Sequence, residues 1–125
     1  MFLKNLFKKK TKKIDLTSPW NILWDNWSSG KLEEPYTSLC TYSNGINGDG
    51  HYCFFDNEVE NVEIILKELK KLLSKEFVSI IKKSYKAYKN DNNVDETCDI
   101  ADDYFYDHEE EINNILQEYA DKTYK

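Results

Sequence analysis

The sequence predicts an all-α protein, a compact bundle of five to six amphipathic helices with a Gly-rich loop before the central helix. Apolar residues recur at intervals of three and four along most of the chain, which is the period of a helix. No stretch alternates apolar and polar residues for long enough to indicate strands. All four glycines fall between Gly30 and Gly50, where they punctuate the chain and leave the later apolar runs uninterrupted.

The length of 125 residues suits one domain with one core. We divide the chain into a basic N-terminal segment over residues 1–16 and a single helical domain over residues 17–125. Residues 1–13 carry six lysines, no acid and four apolar residues at helical spacing. Such a segment can lie on an anionic membrane or on the acidic surface of the protein itself, although a loosely held terminus is the commoner outcome.

The charge of the chain is divided unevenly. The formal net charge is -6, but residues 14–125 hold 11 lysines against 23 acids, a net charge of -12. This body repels nucleic acid and attracts basic partners, so no direct nucleic-acid binding is expected. There is no arginine, so bidentate clamps on phosphate are absent.

The first helix has clear start and stop signals. Ser18 is an N-cap residue, Pro19 occupies the first helical position, and Gly30 can close the helix. The apolar stripe between them consists of Trp20, Leu23, Trp24 and Trp27. Core packing explains this stripe better than an aromatic ligand cage.

A second helix is predicted around residues 33–43, followed by a tight structural loop. Asn57 with Glu60 three residues later matches a capping box, which opens a central helix over residues 58–73. The loop would direct two phenylalanines into the core. The residues assigned to it are Asn47, Gly48, Gly50, Phe54, Phe55 and Asn57.

Three further helices follow. The pattern predicts a helix over 75–89, a breaker-rich loop over 90–93, a short helix over 96–106 and a last helix over 109–124. Glutamates 109–111 stand in the first turn of the last helix, where the helix dipole favours negative charge.

Residues 91–111 contain ten acidic residues and no lysine. Such a run is usually a solvated face. Here Tyr104, Phe105 and Tyr106 interrupt it, so we expect the carboxylates to be held in a defined arrangement that can present a phosphate-like charge pattern to a basic protein. The candidate partner-binding residues are Asp95, Glu96, Asp99, Asp102, Asp103, Asp107, Glu109, Glu110 and Glu111.

Catalytic and metal chemistry have weaker support. No acid stands out from the others as one of a glycosidase pair, and the glycine-rich stretch lacks the first carboxylate of an EF-hand. His51-x-Cys53 is the only pair with spacing that suits a metal, and a Cys–His nucleophile lacks a recognisable orienting group. We therefore expect no enzyme activity, no metal and no cofactor.

The three cysteines form no CxxC motif and their odd number favours free thiols, which indicates a cytoplasmic protein. No apolar run reaches the length of a membrane span, and residues 1–13 lack the apolar core of a secretory signal.

Two stretches carry a resemblance to a known family. In the first, Asn47, Gly50, Phe54, Phe55 and Asn57 match in register; in the second, the matching residues are Asp99, Asp102, Phe105, Tyr106 and Tyr119. The chain resembles a family of small acidic all-helical proteins, mostly of unknown function, that includes a DNA-mimic protein. The resemblance covers about residues 35–124, and it departs from the family pattern at Gly48, Asp49, His51 and Cys53.

What the resemblance implies is a helical fold without known catalytic residues. For the DNA-mimic member it also implies a homodimer whose acidic surface binds a transcription factor. The leading hypothesis is thus a protein-binding module that occupies the nucleic-acid-binding surface of a basic partner. The alternatives are an immunity or antitoxin-like inhibitor of a basic toxin or nuclease, an enzyme that uses His51 or a carboxylate pair, and a domain without a charged partner.

Overall fold

The structure, a computed structural model, describes residues 17–125, which form seven α-helices and no strand. The helical class is confirmed, with one helix more than the upper number predicted. The helices are α1 (Pro19–Ser28), α2 (Tyr36–Ile46), α3 (Gly50–Asn57), α4 (Val62–Leu69), α5 (Lys75–Asn90), α6 (Val94–Asp107) and α7 (Glu109–Tyr124). None of these helices in residues 17–125 has the length and apolar character needed to cross a bilayer. The predicted basic segment over residues 1–16 lies outside the described residues.

Helix α1 begins and ends as predicted. The hydroxyl of Ser18 accepts a hydrogen bond from the backbone N–H of Asn21 at 3.2 Å, and Gly30 follows the helix with a φ of 77°. Only Leu23 of α1 is fully buried. The three tryptophans are half-buried and pack against the edge of the core. The indole N–H of Trp27 donates to Thr41 Oγ1 at 3.0 Å, which ties α1 to α2.

The predicted loop over residues 47–57 is wrong, because most of it is helix α3. Only residues 47–49 connect α2 to α3, and Gly48 and Gly50 have positive φ angles of 91° and 85° that make this short connection possible. Gly45 lies inside α2, where a Cβ atom would stand 2.6 Å from Cδ1 of Phe54. The expected burial of the phenylalanine pair is confirmed, since Phe54 and Phe55 are 2% and 0% exposed.

The predicted capping box at Asn57 is also wrong. Asn57 is the last residue of α3, and the backbone N–H of Asn61 bonds the carbonyl of Glu58 at 2.7 Å, which forms a turn before α4. Packing overrides the local cap here, because burial of Phe54 and Phe55 extends helical structure through residue 57. The helix predicted over 58–73 is thereby reduced to Val62–Leu69.

The remaining helices agree closely with the predicted ones. Ser74 caps α5 by accepting from the backbone N–H of Phe77 at 3.2 Å. Asp91 and Asn93 adopt left-handed conformations, with φ of 51° and 55°, and reverse the chain between α5 and α6. Helix α6 begins at Val94, two residues before its predicted start.

Helix α2 is the centre of the bundle and contacts α1, α3, α4 and α7, while α5 packs along α6 and α1 along α7. The fully buried ring of Tyr42 on α2 lies edge-to-face with Phe54, Phe77 and Phe105, at centroid distances of 5.5, 6.3 and 5.8 Å. These contacts join α2, α3, α5 and α6 around one aromatic cluster.

Candidate functional site

A buried chain of hydrogen bonds links α2, α3 and α6. The Nδ1 atom of His51 lies 2.7 Å from Oδ1 of Asp102, and its Nε2 atom lies 2.7 Å from the hydroxyl of Tyr42. An ionised carboxylate only accepts hydrogen bonds, so Nδ1 carries the proton and donates to Asp102, while Nε2 pairs with the Tyr42 hydroxyl. The backbone N–H of His51 donates to the same Asp102 oxygen at 2.8 Å.

The surroundings of this hydrogen-bonded chain shift the pKa values of Asp102 and Tyr42. Burial by itself raises the pKa of Asp102, but the hydrogen bonds and charge of His51 outweigh burial and hold that pKa below its ordinary value. Burial, reinforced by the negative charge of Asp102, raises the pKa of Tyr42 well above its ordinary value. Asp102 is therefore ionised and Tyr42 neutral at neutral pH.

This hydrogen-bonded chain lies inside the bundle and connects its helices. His51 and Tyr42 are both 0% exposed, and only the Asp102 side chain reaches the surface, with 30% exposed. A substrate could not contact the imidazole without opening the bundle. The hydrogen bonds fix α3 to α6, and a second bond from the backbone N–H of Gly48 to the Tyr106 hydroxyl, at 2.9 Å, strengthens the same junction.

Nucleophilic and metal chemistry find little support in the described residues. Burial raises the pKa of Cys40 to about 12, and burial with nearby aspartates raises the pKa of Cys98 to about 11, so neither thiol ionises readily. Cys53 is exposed, and all three cysteines are free thiols. Residues 17–125 contain no group of three or more His, Cys, Asp or Glu side chains placed to hold a metal ion.

The predicted partner-binding acids divide between two settings. We use the term acidic face for the five exposed carboxylates of α6: Asp95, Glu96, Asp99, Asp103 and Asp107. At 100° per residue they occupy an arc of about 120°, roughly opposite the buried Ala101 and Phe105. Glu110 is also exposed, on the first turn of α7.

The other three predicted acids differ from the acidic face. Asp102 is occupied by His51, and Glu111 accepts a hydrogen bond from the backbone N–H of Ser74 at 2.8 Å, so both hold helices together. Glu109 is half-buried beside α1 and α2 and lines a cavity of ≈480 Å³ there.

The acidic-face carboxylates form no ion pair within residues 17–125, although Lys83 of α5 lines the same cavity as Glu96. The ion pairs in that range join His51 to Asp102, Lys71 to Glu68 and Lys89 to Glu63, and none of them includes an acidic-face carboxylate. Tyr106 lies within the same arc of α6 and is 47% exposed, which adds an aromatic ring to the charged surface.

Sequence reasoning missed the hydrogen-bonded chain because its members are far apart: 51 residues separate His51 from Asp102. The signal available was a histidine directly after Gly50, at a turn where the backbone is close to another element. It also missed the clustering of lysines on α4 and α5, which only the packing of those two helices creates.

The chain matches no protein family, no curated protein and no solved structure with which it was compared.

Proposed function

We propose that this protein binds a basic partner protein through the acidic face of α6 and thereby occupies a surface that the partner uses for nucleic acid. The single observation that carries the proposal is the acidic face itself: five exposed carboxylates within one arc of a helix whose opposite side is buried in the core. Charges placed on a folded helix support recognition because the backbone that carries them does not have to be ordered on binding.

The spacing of the carboxylates also supports the proposal. Asp95, Asp99, Asp103 and Asp107 follow one another at intervals of four residues, so each aspartate lies beside a like charge on the helix surface. Each such pair destabilises an isolated helix by about 0.2–0.5 kcal/mol. A stability cost of this kind is expected at a surface selected for binding.

Binding is better supported than catalysis. The only histidine that contacts both a carboxylate and a second polar side chain within residues 17–125 is His51, which is 0% exposed. Its contacts support a positioning role inside the bundle. Burial raises the pKa of the Cys40 thiol to about 12, which disfavours a thiolate nucleophile at this residue. We therefore propose a non-enzymatic protein.

The test is a pull-down with the tagged full chain at low and at raised salt, with identification of the bound proteins. We compare the wild type with Asp99→Asn/Asp103→Asn and with Asp25→Asn/Glu60→Gln, a control that removes the same charge from exposed sites outside the acidic face. We expect a basic protein that the wild type and the control retain at low salt, and at least tenfold less of it with Asp99→Asn/Asp103→Asn.

The captured protein then separates the alternatives. If it is a DNA-binding protein, a DNA duplex must compete with this chain for it; if it is a nuclease or another toxin, this chain must inhibit its activity. Equal capture by the wild type and both variants, or enrichment of no basic protein, contradicts the proposal and favours a domain without a charged partner.

A further inference from the structure

A second charged surface lies on α4 and α5. Eight of the eleven lysines in residues 17–125 fall between Lys67 and Lys89, and all eight are exposed. The same segment contains only two acids, Glu68 and Glu76. The protein therefore has positive charge from the end of α4 through α5 and negative charge on the next helix along the chain.

The packing of α4 against α5 gathers five of these lysines around two adjoining cavities of ≈260 and ≈410 Å³. Glu63, Leu66 and Lys82 line both cavities. Leu66 and Tyr85, which are 7% and 8% exposed, form the apolar floor. We call this surface the lysine groove and define it by Lys67, Lys70, Lys82, Lys86 and Lys89.

The positive charge of the lysine groove is largely uncompensated within residues 17–125. Lys89 lies 3.5 Å from Glu63 and 4.7 Å from the centroid of the Tyr85 ring. The Glu63 side chain is 74% exposed and that of Lys89 is 48% exposed, so water and salt screen the pair and an incoming carboxylate can compete for Lys89. The other four lysines of the groove form no ion pair in the described part of the chain.

We propose that the lysine groove binds the acidic face of α6 of a second copy of this chain. Lys82, Lys86 and Lys89 span about 10 Å along α5, and Asp95, Asp99 and Asp103 span about 12 Å along α6, at 1.5 Å per residue. Both rows present one charge per helical turn. The two rows are therefore opposite in sign and similar in spacing, and Asp107 extends the acidic face one helical turn beyond the lysine row.

The length of the rows favours a second copy over nucleic acid. A nucleic acid carries its charge beyond the ends of the groove and would meet the acidic remainder of the domain, which repels it. The acidic face of α6 is short by comparison, about 18 Å from Asp95 to Asp107, and carries no charge far beyond the groove. The remaining like charges on two associated copies are screened when they are farther apart than about 8–10 Å at physiological salt.

The predicted contact is head-to-tail, because the lysine groove and the acidic face are different surfaces of one chain. Each copy in such a contact keeps one free surface, so association increases with concentration and is not limited to a dimer. A single helix in a groove is a small interface, so the association is weak and salt-sensitive. It uses the same acidic face as the proposed basic partner and would compete with that partner, but it does not require the partner to exist.

Two charge-reversal variants of the full chain test the proposal by analytical ultracentrifugation at low and raised salt. Lys82→Glu/Lys86→Glu disables the lysine groove and keeps the acidic face. Asp99→Lys/Asp103→Lys disables the acidic face and keeps the groove. We expect the wild type to associate at low salt, taken as about 0.1 M so that like charges outside the contact are screened, and each variant alone to associate at least tenfold more weakly.

The decisive sample is an equimolar mixture of the two variants. Each variant retains the surface that the other lacks, and the two reversed surfaces are themselves opposite in sign, so the mixture should associate where neither variant alone does. The matched control is Lys31→Glu/Lys122→Glu, which reverses two exposed lysines outside the groove and should associate as the wild type does. Circular dichroism of each variant verifies that the helices are retained.

Three results would overturn the proposal: a wild type that stays monomeric at low salt, association that persists in Lys82→Glu/Lys86→Glu, or variants that fail to combine. A single-stranded oligonucleotide probe is included; if it binds the groove while the protein alone stays monomeric, the occupant is nucleic acid and the proposal is wrong. Because Lys82→Glu/Lys86→Glu keeps the acidic face, its capture of a basic partner reports on the proposed function independently.

Discussion

The imidazole Nδ1 and the backbone N–H of His51 share one carboxylate oxygen of Asp102, at 2.7 and 2.8 Å. This relationship joins the first turn of α3 to the middle of α6, the helix that carries the acidic face. The candidate binding surface therefore depends on a buried polar contact as well as on apolar packing.

Removal of the Asp102 carboxylate should destabilise the fold. Asp102→Ala leaves two donors of His51 without a partner, one of them on a fully buried ring, so we expect the free energy of unfolding to fall by about 2–4 kcal/mol. Asp103→Ala, at the next position on the exposed side, should not lower it, because this change removes the repulsion of Asp99 and Asp107 and breaks no contact. Urea unfolding followed by circular dichroism measures both, and equal effects would contradict the assigned role of Asp102.

Removal of the Tyr42 hydroxyl should have a smaller effect. Tyr42→Phe keeps the aromatic packing but deprives His51 Nε2 of its hydrogen-bond partner, which should lower the free energy of unfolding by about 1–2 kcal/mol. Tyr36→Phe changes a half-buried tyrosine that stacks on Tyr119 and should be close to neutral. An unchanged free energy of unfolding in Tyr42→Phe would show that the hydroxyl does not form a stabilising hydrogen bond with Nε2.

Gly50 and Gly48 should differ in their tolerance of alanine. Both have positive φ, which costs an alanine about 1–2 kcal/mol. A Cβ at Gly50 would also stand 2.8 Å from Oδ2 of Asp102, whereas one at Gly48 would have no atom within 4 Å. Displacement of Asp102 should add about 1–3 kcal/mol at Gly50. Thermal unfolding of Gly50→Ala and Gly48→Ala checks this order, and a less stable Gly48→Ala would contradict it.

The contribution of Asp102 to stability should depend on pH. Its pKa in the folded protein lies below the ordinary value, which is about 3.9 for an aspartate in the unfolded chain. Its ionised contacts therefore contribute fully above the unfolded pKa and are lost as the pH falls through the folded pKa. The difference in unfolding free energy between wild type and Asp102→Ala should be constant from pH 7 to about 5 and decrease below about 4. Urea unfolding at several pH values tests this, and an unchanged difference in acid would refute it.

Neutralising the acidic face should stabilise α6 at low salt. Asp99 has like charges four residues away on both sides, so Asp99→Asn should raise the free energy of unfolding by about 0.4–1 kcal/mol. The gain should diminish as salt is added, because the charges are exposed. Asp25→Asn on α1 is the control, since no acid lies four residues from it. A gain independent of salt would exclude repulsion as its cause.

Much of the fold could be predicted from the sequence because its signals are local. Ser18 and Ser74 bond the backbone three residues ahead, so the starts of α1 and α5 follow from residue type and spacing. The bounds of α7 follow from its apolar period in the same way. Local signals failed at Asn57, where burial of the neighbouring phenylalanines extended helix α3 through the predicted cap.

The sequence by itself determined that the chain is helical, that it is acidic after residue 13, and that residues 91–111 concentrate carboxylates without lysine. Only the tertiary structure decided what each carboxylate does. Asp102 and Asp103 are adjacent and identical in chemistry, yet one bonds His51 and the other faces solvent, because successive residues of a helix point about 100° apart. The lysine groove has the same origin, since the packing of α4 against α5 brings together charges that are separated along the chain.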